Sequence, residues 1–167
     1  MHFKQTSLLV SAVVLVTIGT AFCDSGAVLR FNPRNDGIGY ATNCGQNPFN
    51  FSWSPKILSA QHSVDITFEY TFAYKLDGGF YNLTLREFGE AEPFLSHAYP
   101  FSCDDITKTV ACPVSKGFSV NLKKTITNTK YLLSFPGRYI LIVEIKNSER
   151  QQMLCARMDI TINNNIY

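Results

Sequence analysis

The chain has 167 residues, with 15 Lys and Arg against 13 Asp and Glu, 46% hydrophobic and 13% aromatic side chains. A formal charge of +2 over that length leaves no basic footprint for a nucleic acid, so that partner class is set aside. The hydrophobic content is ample for one core.

The first element is a leader. Met1-His2-Phe3-Lys4 precedes an apolar run over 8–18, followed by the small residues Gly19, Thr20 and Ala21. This is the order of a secretory signal peptide, expected over 1–23, with 24–167 as a single mature domain. A membrane anchor needs about 20 apolar residues, and this run is about half that. Cleavage after Cys23 and cleavage after Ala21 both satisfy the small-residue rule, and Phe22 is too bulky to precede a lipidated cysteine. The mature chain keeps Cys44, Cys103, Cys112 and Cys155, an even count that reads as two disulfides in an oxidising compartment, with three connectivities open. Asn50-Phe51-Ser52 and Asn82-Leu83-Thr84 are glycosylation sequons that fit the same compartment.

Strands follow, marked by period-two alternation. Phe49, Phe51 and Trp53 alternate with Asn50, Ser52 and Ser54. Over 64–74 every even position is apolar or aromatic (Val64, Ile66, Phe68, Tyr70, Phe72, Tyr74). Lys75-Leu76-Asp77-Gly78-Gly79 reads as a turn, and 80–88 as a hairpin partner with Tyr81, Leu83 and Leu85 on its apolar face. The stretch 89–112 breaks the alternation. Pro93 and Pro100 exclude an internal strand, yet Phe94, Leu95, Tyr99 and Phe101 make it unusually apolar. It is expected to be a loop, either folded over the end of the domain or forming an apolar lip around an opening.

Phe118, Val120 and Leu122 then alternate with Ser119, Asn121 and Lys123. Tyr139, Leu141, Val143 and Ile145 alternate with Ile140, Ile142, Glu144 and Lys146. Ala156, Met158, Ile160 and Ile162 alternate with Arg157, Asp159 and Thr161. No segment shows a helical period. Some six strands with one apolar face each bury those faces in two packed sheets. Asn50 and Asn82 fall on the polar parity, as glycan sites should. Cys155 also falls on it, which calls for a bulge or a bridge at an edge. The tail Asn163-Asn164-Asn165 reads as frayed.

Chemistry is sparse. His62 sits in a turn and His97 in the proline-rich stretch, neither in a metal-binding spacing. Asp104-Asp105 reads as a turn pair rather than an acid and base. Neither a nucleophile elbow nor a phosphate loop is present. The expectation is a protein that is not an enzyme and needs no cofactor or metal.

The cysteine contexts add a resemblance. Asn43-Cys44-Gly45, then Cys112-Pro113-Val114-Ser115-Lys116-Gly117, then Phe135-Pro136-Gly137-Arg138-Tyr139, and finally Leu154-Cys155 before Asp159-Ile160-Thr161-Ile162 form an ordered series. It resembles the ML family of lipid-recognition domains, which includes lysosomal sterol-transfer proteins, endotoxin co-receptors and secreted phospholipid-binding proteins. A further close-spaced cysteine pair after Cys44, carried by some members, is absent. The resemblance implies an all-β, immunoglobulin-like sandwich of two antiparallel sheets with an apolar interior, and the pairings Cys44–Cys155 and Cys103–Cys112.

The function expected on that basis is lipid binding, for transfer or presentation, in the extracellular space or the endosomal-lysosomal lumen. The pocket is then lined by Ile66, Phe68, Tyr70, Phe72 and Tyr74, by Tyr81, Leu83 and Leu85, by Phe118, Val120 and Leu122, and by Tyr139, Leu141 and Val143. Phe94, Leu95, Tyr99 and Phe101 form the lip. Lys116, Lys123, Lys124 and Lys130 are candidates for an anionic head group. A receptor or acceptor protein and transient membrane contact are the further partners implied. The alternative is a secreted interaction module with a filled core, because alternation alone does not tell a filled sandwich from a hollow one.

Overall fold

The computed structural model describes residues 37–106, 111–130, 132 and 135–163. The expected signal peptide over 1–23, Cys23 included, lies outside the described residues. The strands, numbered in chain order, form two sheets. The first contains β1 (Gly39–Tyr40), β3 (Phe49–Ser54), β5 (Val64–Thr71) and β8 (Ser119–Ile126), in the order β1-β3-β5-β8, all antiparallel. The second runs β2 (Thr42–Asn43), β10 (Gln152–Asn163), β9 (Gly137–Asn147), β6 (Gly78–Glu87), β7 (Leu95–Ser102), with β4 (Ile57–Ser59) parallel to β10. The architecture is a sandwich of two packed sheets, as the strand parities require, and it is immunoglobulin-like, as the family resemblance implies.

The inward parities match the sequence. Along β5 Val64, Ile66 and Tyr70 are buried while Asp65, Glu69 and Thr71 are exposed. A core of Trp53, Val64 and Ile66 from the first sheet meets Tyr81, Leu83, Leu141, Val143 and Met158 from the second. On this side the chain steps from the first sheet to the second at Ala41, between β1 and β2, and again at Ser54-Pro55, between β3 and β4, returning to the first sheet after each step. Each step stitches the sheets together. Gly39 of β1 lies so close over the Trp53 indole that a Cβ there would overlap the ring, and Trp53 Nε1 donates to the Lys56 carbonyl at 3.1 Å.

Cys44–Cys155 fastens β2 to β10, and Cys103–Cys112 closes a short loop. Cys155 stays on the outward parity of β10, opposite Glu144. Its partner reaches it at the edge, where Ala156 and Arg157 pair with β2. A bulge is present as well: the β9–β10 register shifts between Gln152 and Leu154, so Met153 and Leu154 are both buried. The carbonyls freed there are satisfied. Asn47 Nδ2 donates to Gln152 O at 2.6 Å and Met153 O at 3.1 Å, and the Tyr70 hydroxyl crosses from the first sheet to Met153 O at 2.6 Å.

The structure corrects several expectations. The hairpin between 64–74 and 80–88 does not form, because β5 and β6 belong to different sheets. The regular strand ends at Thr71, and the link to β6 is held elsewhere. Leu76 exchanges backbone hydrogen bonds with Val114 (2.9 and 2.8 Å), and Asn147 Nδ2 donates to Lys75 O at 3.0 Å. Gly78-Gly79 is therefore no turn tip but the start of β6. Gly79, at φ +149°, runs so close to β9 that a Cβ would overlap the Lys146 carbonyl oxygen.

The stretch 89–112 is not all loop. Leu95–Ser102 is an eight-residue strand at the edge of the second sheet, the one place where Pro100 costs no ladder bond. A single helical turn, Cys103–Ile106, follows. Asp105 caps it by accepting from the Ser102 amide (2.7 Å) and hydroxyl (2.8 Å), and these bonds hold its carboxyl below the ordinary value. Asn163, placed in a frayed tail, is the last residue of β10 and pairs with Ser59.

Candidate functional site

The inner face of the first sheet is an aromatic ladder. Rings follow one another from Trp53 to Phe51 (6.1 Å), Phe68 (6.2 Å), Tyr70 (6.2 Å), Phe72 (5.0 Å) and Phe118 (6.3 Å). Strand β8 continues this wall, since Val120 and Leu122 stand opposite Tyr70 and Phe68. Facing it, β9 contributes Tyr139, Leu141 and Val143, and β6 contributes Tyr81, Leu83 and Leu85. The edge strand β7 adds Leu95, Tyr99 and Phe101 on the parity of Leu85, Tyr81 and Gly79. Tyr81 stacks on Tyr99 at 5.1 Å and sits 6.3 Å from Phe101.

Burial is graded across this interior. Trp53, Ile66, Leu83 and Val143 are dry. The inward side chains of the other edges, Leu95, Tyr99 and Phe101 on β7 and Val120 and Leu122 on β8, are only half-buried. Phe68 is the telling residue. It lies mid-strand on β5, a central strand, points inward between Phe51 and Leu122, and is still half-buried. Phe72, Tyr74 and Leu85 share that state.

Most of the residues proposed for the pocket thus come together on two facing walls. Phe94 and Phe118 differ: they are 54% and 48% exposed. Phe118 ends the aromatic ladder at its rim, whereas Phe94 precedes β7 and packs edge-on against Tyr139 at 6.1 Å. Of the four lysines, Lys116, Lys123 and Lys130 are exposed, with Lys123 on the outward parity opposite Thr67. Lys124 alone among them shares the inward parity, opposite Ile66, and is half-buried. The alternation of Leu122 and Lys123 already pointed that way.

His97 is the residue that sequence reasoning left on a loop surface. It occupies the inward parity of β7, opposite Leu83, with its ring 4.2 Å from Tyr99 and exposed at the edge. The alternation of Leu95, His97, Tyr99 and Phe101 carried that signal, but the flanking prolines masked it. His62 remains an exposed turn residue whose Nδ1 meets Ser59 Oγ at 2.8 Å. Among the described residues no group of three or more His, Cys, Asp or Glu side chains could hold a metal ion, and no helix is long and apolar enough to cross a membrane.

Tyr139 explains one of the motifs. Its hydroxyl turns back to donate to the Pro136 carbonyl at 3.0 Å, so Pro136-Gly137-Arg138-Tyr139 forms a corner at the start of β9. Burial, with the Glu87 charge adding to it, pushes the Tyr139 phenol above its ordinary value and keeps it a donor. The ML-domain family model matches residues 41–162, nearly the whole described sandwich. The chain belongs to the ML-domain family.

No curated protein sequence matches this ML-domain chain. Among solved structures it is similar in fold to chicken MD-1 complexed with lipid IVa (14% identity, 74% of this chain and 95% of that one, TM-score 0.47). It is also similar to a Niemann-Pick type C2 protein from Japanese carpenter ant (12% identity, 81% and 100% coverage, TM-score 0.45). The C-terminal domain of wzt is a further likeness (12% identity, 77% and 80% coverage, TM-score 0.39).

Proposed function

We propose that this chain is a lipid-binding protein that holds the apolar part of a lipid between its two sheets. The observation that carries the reading is the half-burial of Phe68 on an inward face of a central strand. In a filled sandwich such a position is dry; here apolar surface is left for a guest to cover. Membership of the ML-domain family supports the same reading.

The ladder of Phe68, Tyr70, Phe72 and Tyr74 with Val120 and Leu122 forms one wall. Tyr81, Leu83, Leu85, Tyr139, Leu141 and Val143 form the other. Leu95, Tyr99 and Phe101 line the open edge, with Phe118 at the rim. A guest chain of about 14 methylenes, each contributing about 0.8 kcal/mol, gains about 11 kcal/mol gross, enough to exceed the cost of association. Lys124 on the inward parity is placed to meet an anionic head group. The process requires no chemical step, only transfer to or from a membrane or an acceptor protein.

Two disulfides and two sequons support a secreted or lumenal location, with a signal peptide over 1–23 and glycans on Asn50 and Asn82. The test is organic extraction of the purified protein followed by mass spectrometry, together with titration by a fluorescent fatty-acyl probe. A co-purifying lipid or saturable uptake is expected. Failure of both, in a folded protein, overturns the reading in favour of an interaction module with a closed core.

A further inference from the structure

A concavity lies on the outer surface of the second sheet, facing away from the interior. It is a groove of about 500 Å3, within the range of small-molecule sites. Its lining crosses the strands: Ser96, His97 and Ala98 from β7, Asn82 and Thr84 from β6, Ile142 and Glu144 from β9, and Gln152 from β10, with the Cys44–Cys155 bridge also in its lining. The lining is mixed, with hydroxyls and a carboxylate beside the apolar Ile142 and Ala98. Two of its residues, Asn82 and Thr84, are the ends of a sequon.

We propose that this groove is the built seat of an N-linked glycan on Asn82, with the first sugars lying in it against Glu144, Thr84 and Ser96. The inference rests on the secretory reading above and goes beyond lipid binding. In the modification, Asn82 Nδ2 forms a bond to C1 of an oligosaccharide carried on a polyprenyl diphosphate. The C1–O bond to the diphosphate breaks, the diphosphate leaves with the electron pair, and one Nδ2 proton is released to solvent. Nδ2 keeps its second hydrogen.

That remaining hydrogen has a partner in place. Asn82 Nδ2 donates to Glu144 Oε2 at 3.0 Å, which fixes the amide plane on the groove floor. Glu144 is held in turn by Gln152 Nε2 at 2.7 Å and Lys146 Nζ at 3.3 Å. Its carboxylate oxygens are acceptors for sugar hydroxyl and acetamido N–H donors, while Ile142 and Ala98 offer an apolar surface to the ring C–H groups. Asn50, the other sequon asparagine, is exposed on the first sheet, with Nδ2 3.4 Å from Glu69 Oε2. Asn82 is half-buried. The two glycans therefore differ in accessibility: one stands in solvent and one is packed.

The experiment expresses the full chain through a eukaryotic secretory pathway and follows release of each glycan by peptide N-glycosidase, site by site, with mass spectrometry. Under native conditions release from Asn82 is expected to be about tenfold or more slower than from Asn50, because the sugar must first leave the groove. After denaturation the rates converge. The variant Ala98→Trp, which fills the groove from an exposed edge position, should raise the native Asn82 rate to that of Asn50. A secreted chain with Asn82 bare, equal native rates at the two sites, or protection that survives in Ala98→Trp overturns the inference alone. A chain that is neither secreted nor glycosylated overturns the compartment reading and the inference with it.

Discussion

On one side of the interior Trp53, Ile66, Leu83 and Met158 close against each other, stitched by the sheet changes at Ala41 and Ser54-Pro55, with Cys44–Cys155 fastening β2 to β10 beside them. On the other side the inward residues of β7 and β8 carry the same apolar chemistry and the same alternation, yet stay half-open to water. The difference is not hydrophobicity. It is connectivity: where the core is dry the chain changes sheets within one or two residues, whereas on the open side it changes sheets through the longer links 72–77 and 103–118. Folding stability should therefore live on the stitched side, and ligand capture on the other.

The largest effect expected is from the bridge on the stitched side. Replacing Cys44 and Cys155 by serine, across a separation of 111 residues, should cost about 4–5 kcal/mol by the chain-entropy estimate. Removing Cys103–Cys112, with a separation of 9, should cost under about 3 kcal/mol. Denaturant midpoints of the two variants give the comparison, and equal losses would undo it. Leu83→Ala comes next. At 1% exposure it should lose about 3 kcal/mol, whereas Leu122→Ala, half-buried on β8, should lose about 1 kcal/mol and weaken uptake of a fluorescent lipid.

Tyr70→Phe removes the hydroxyl that ties the first sheet to the bulge carbonyl of Met153. A loss of about 1 kcal/mol is expected, read as a lower melting temperature with the walls intact. Acid titration probes the outer surface. Burial pushes the Glu144 carboxyl up, but bonds from Gln152, Asn82 and Lys146 outweigh it and hold the group below its ordinary value of 4.5. Its stabilising contribution is therefore fully present above that value and is lost as pH falls through the lower folded value. Glu144→Gln should flatten the acid limb of the stability profile without altering lipid uptake. The smallest stability change belongs to Phe118→Ser at the rim, within about 0.5 kcal/mol of wild type. Slower lipid uptake at unchanged melting temperature is the expected signature.

Alternation made most of this interior legible, because a period of two assigns faces without reference to partners. The even positions from Val64 to Tyr70, and the inward residues of β6, β9 and β10, were placed correctly by that rule alone. Partnership was not legible. Nothing in Lys75-Leu76-Asp77-Gly78-Gly79 distinguishes a hairpin tip from a crossing between sheets. The deciding contacts are to Val114 and Asn147, far away in sequence. Strand β7 was hidden for a different reason: Pro93 and Pro100 speak against a central strand but are silent about an edge. The Asn82 groove was invisible because it is made by neighbours across several strands, and a sequon shows only its own three residues.

Gly79 shows how far a backbone contact can reach. Its hydrogen stands where any side chain would collide with the Lys146 carbonyl, so β6 enters the second sheet only while that position stays bare. In a saturation screen scored by ligand retention, position 79 should prove as intolerant as the residues touching the guest, although it offers the guest nothing. Such a screen would draw the footprint of the binding site larger than it is, and the excess would map the threading of the chain rather than the ligand.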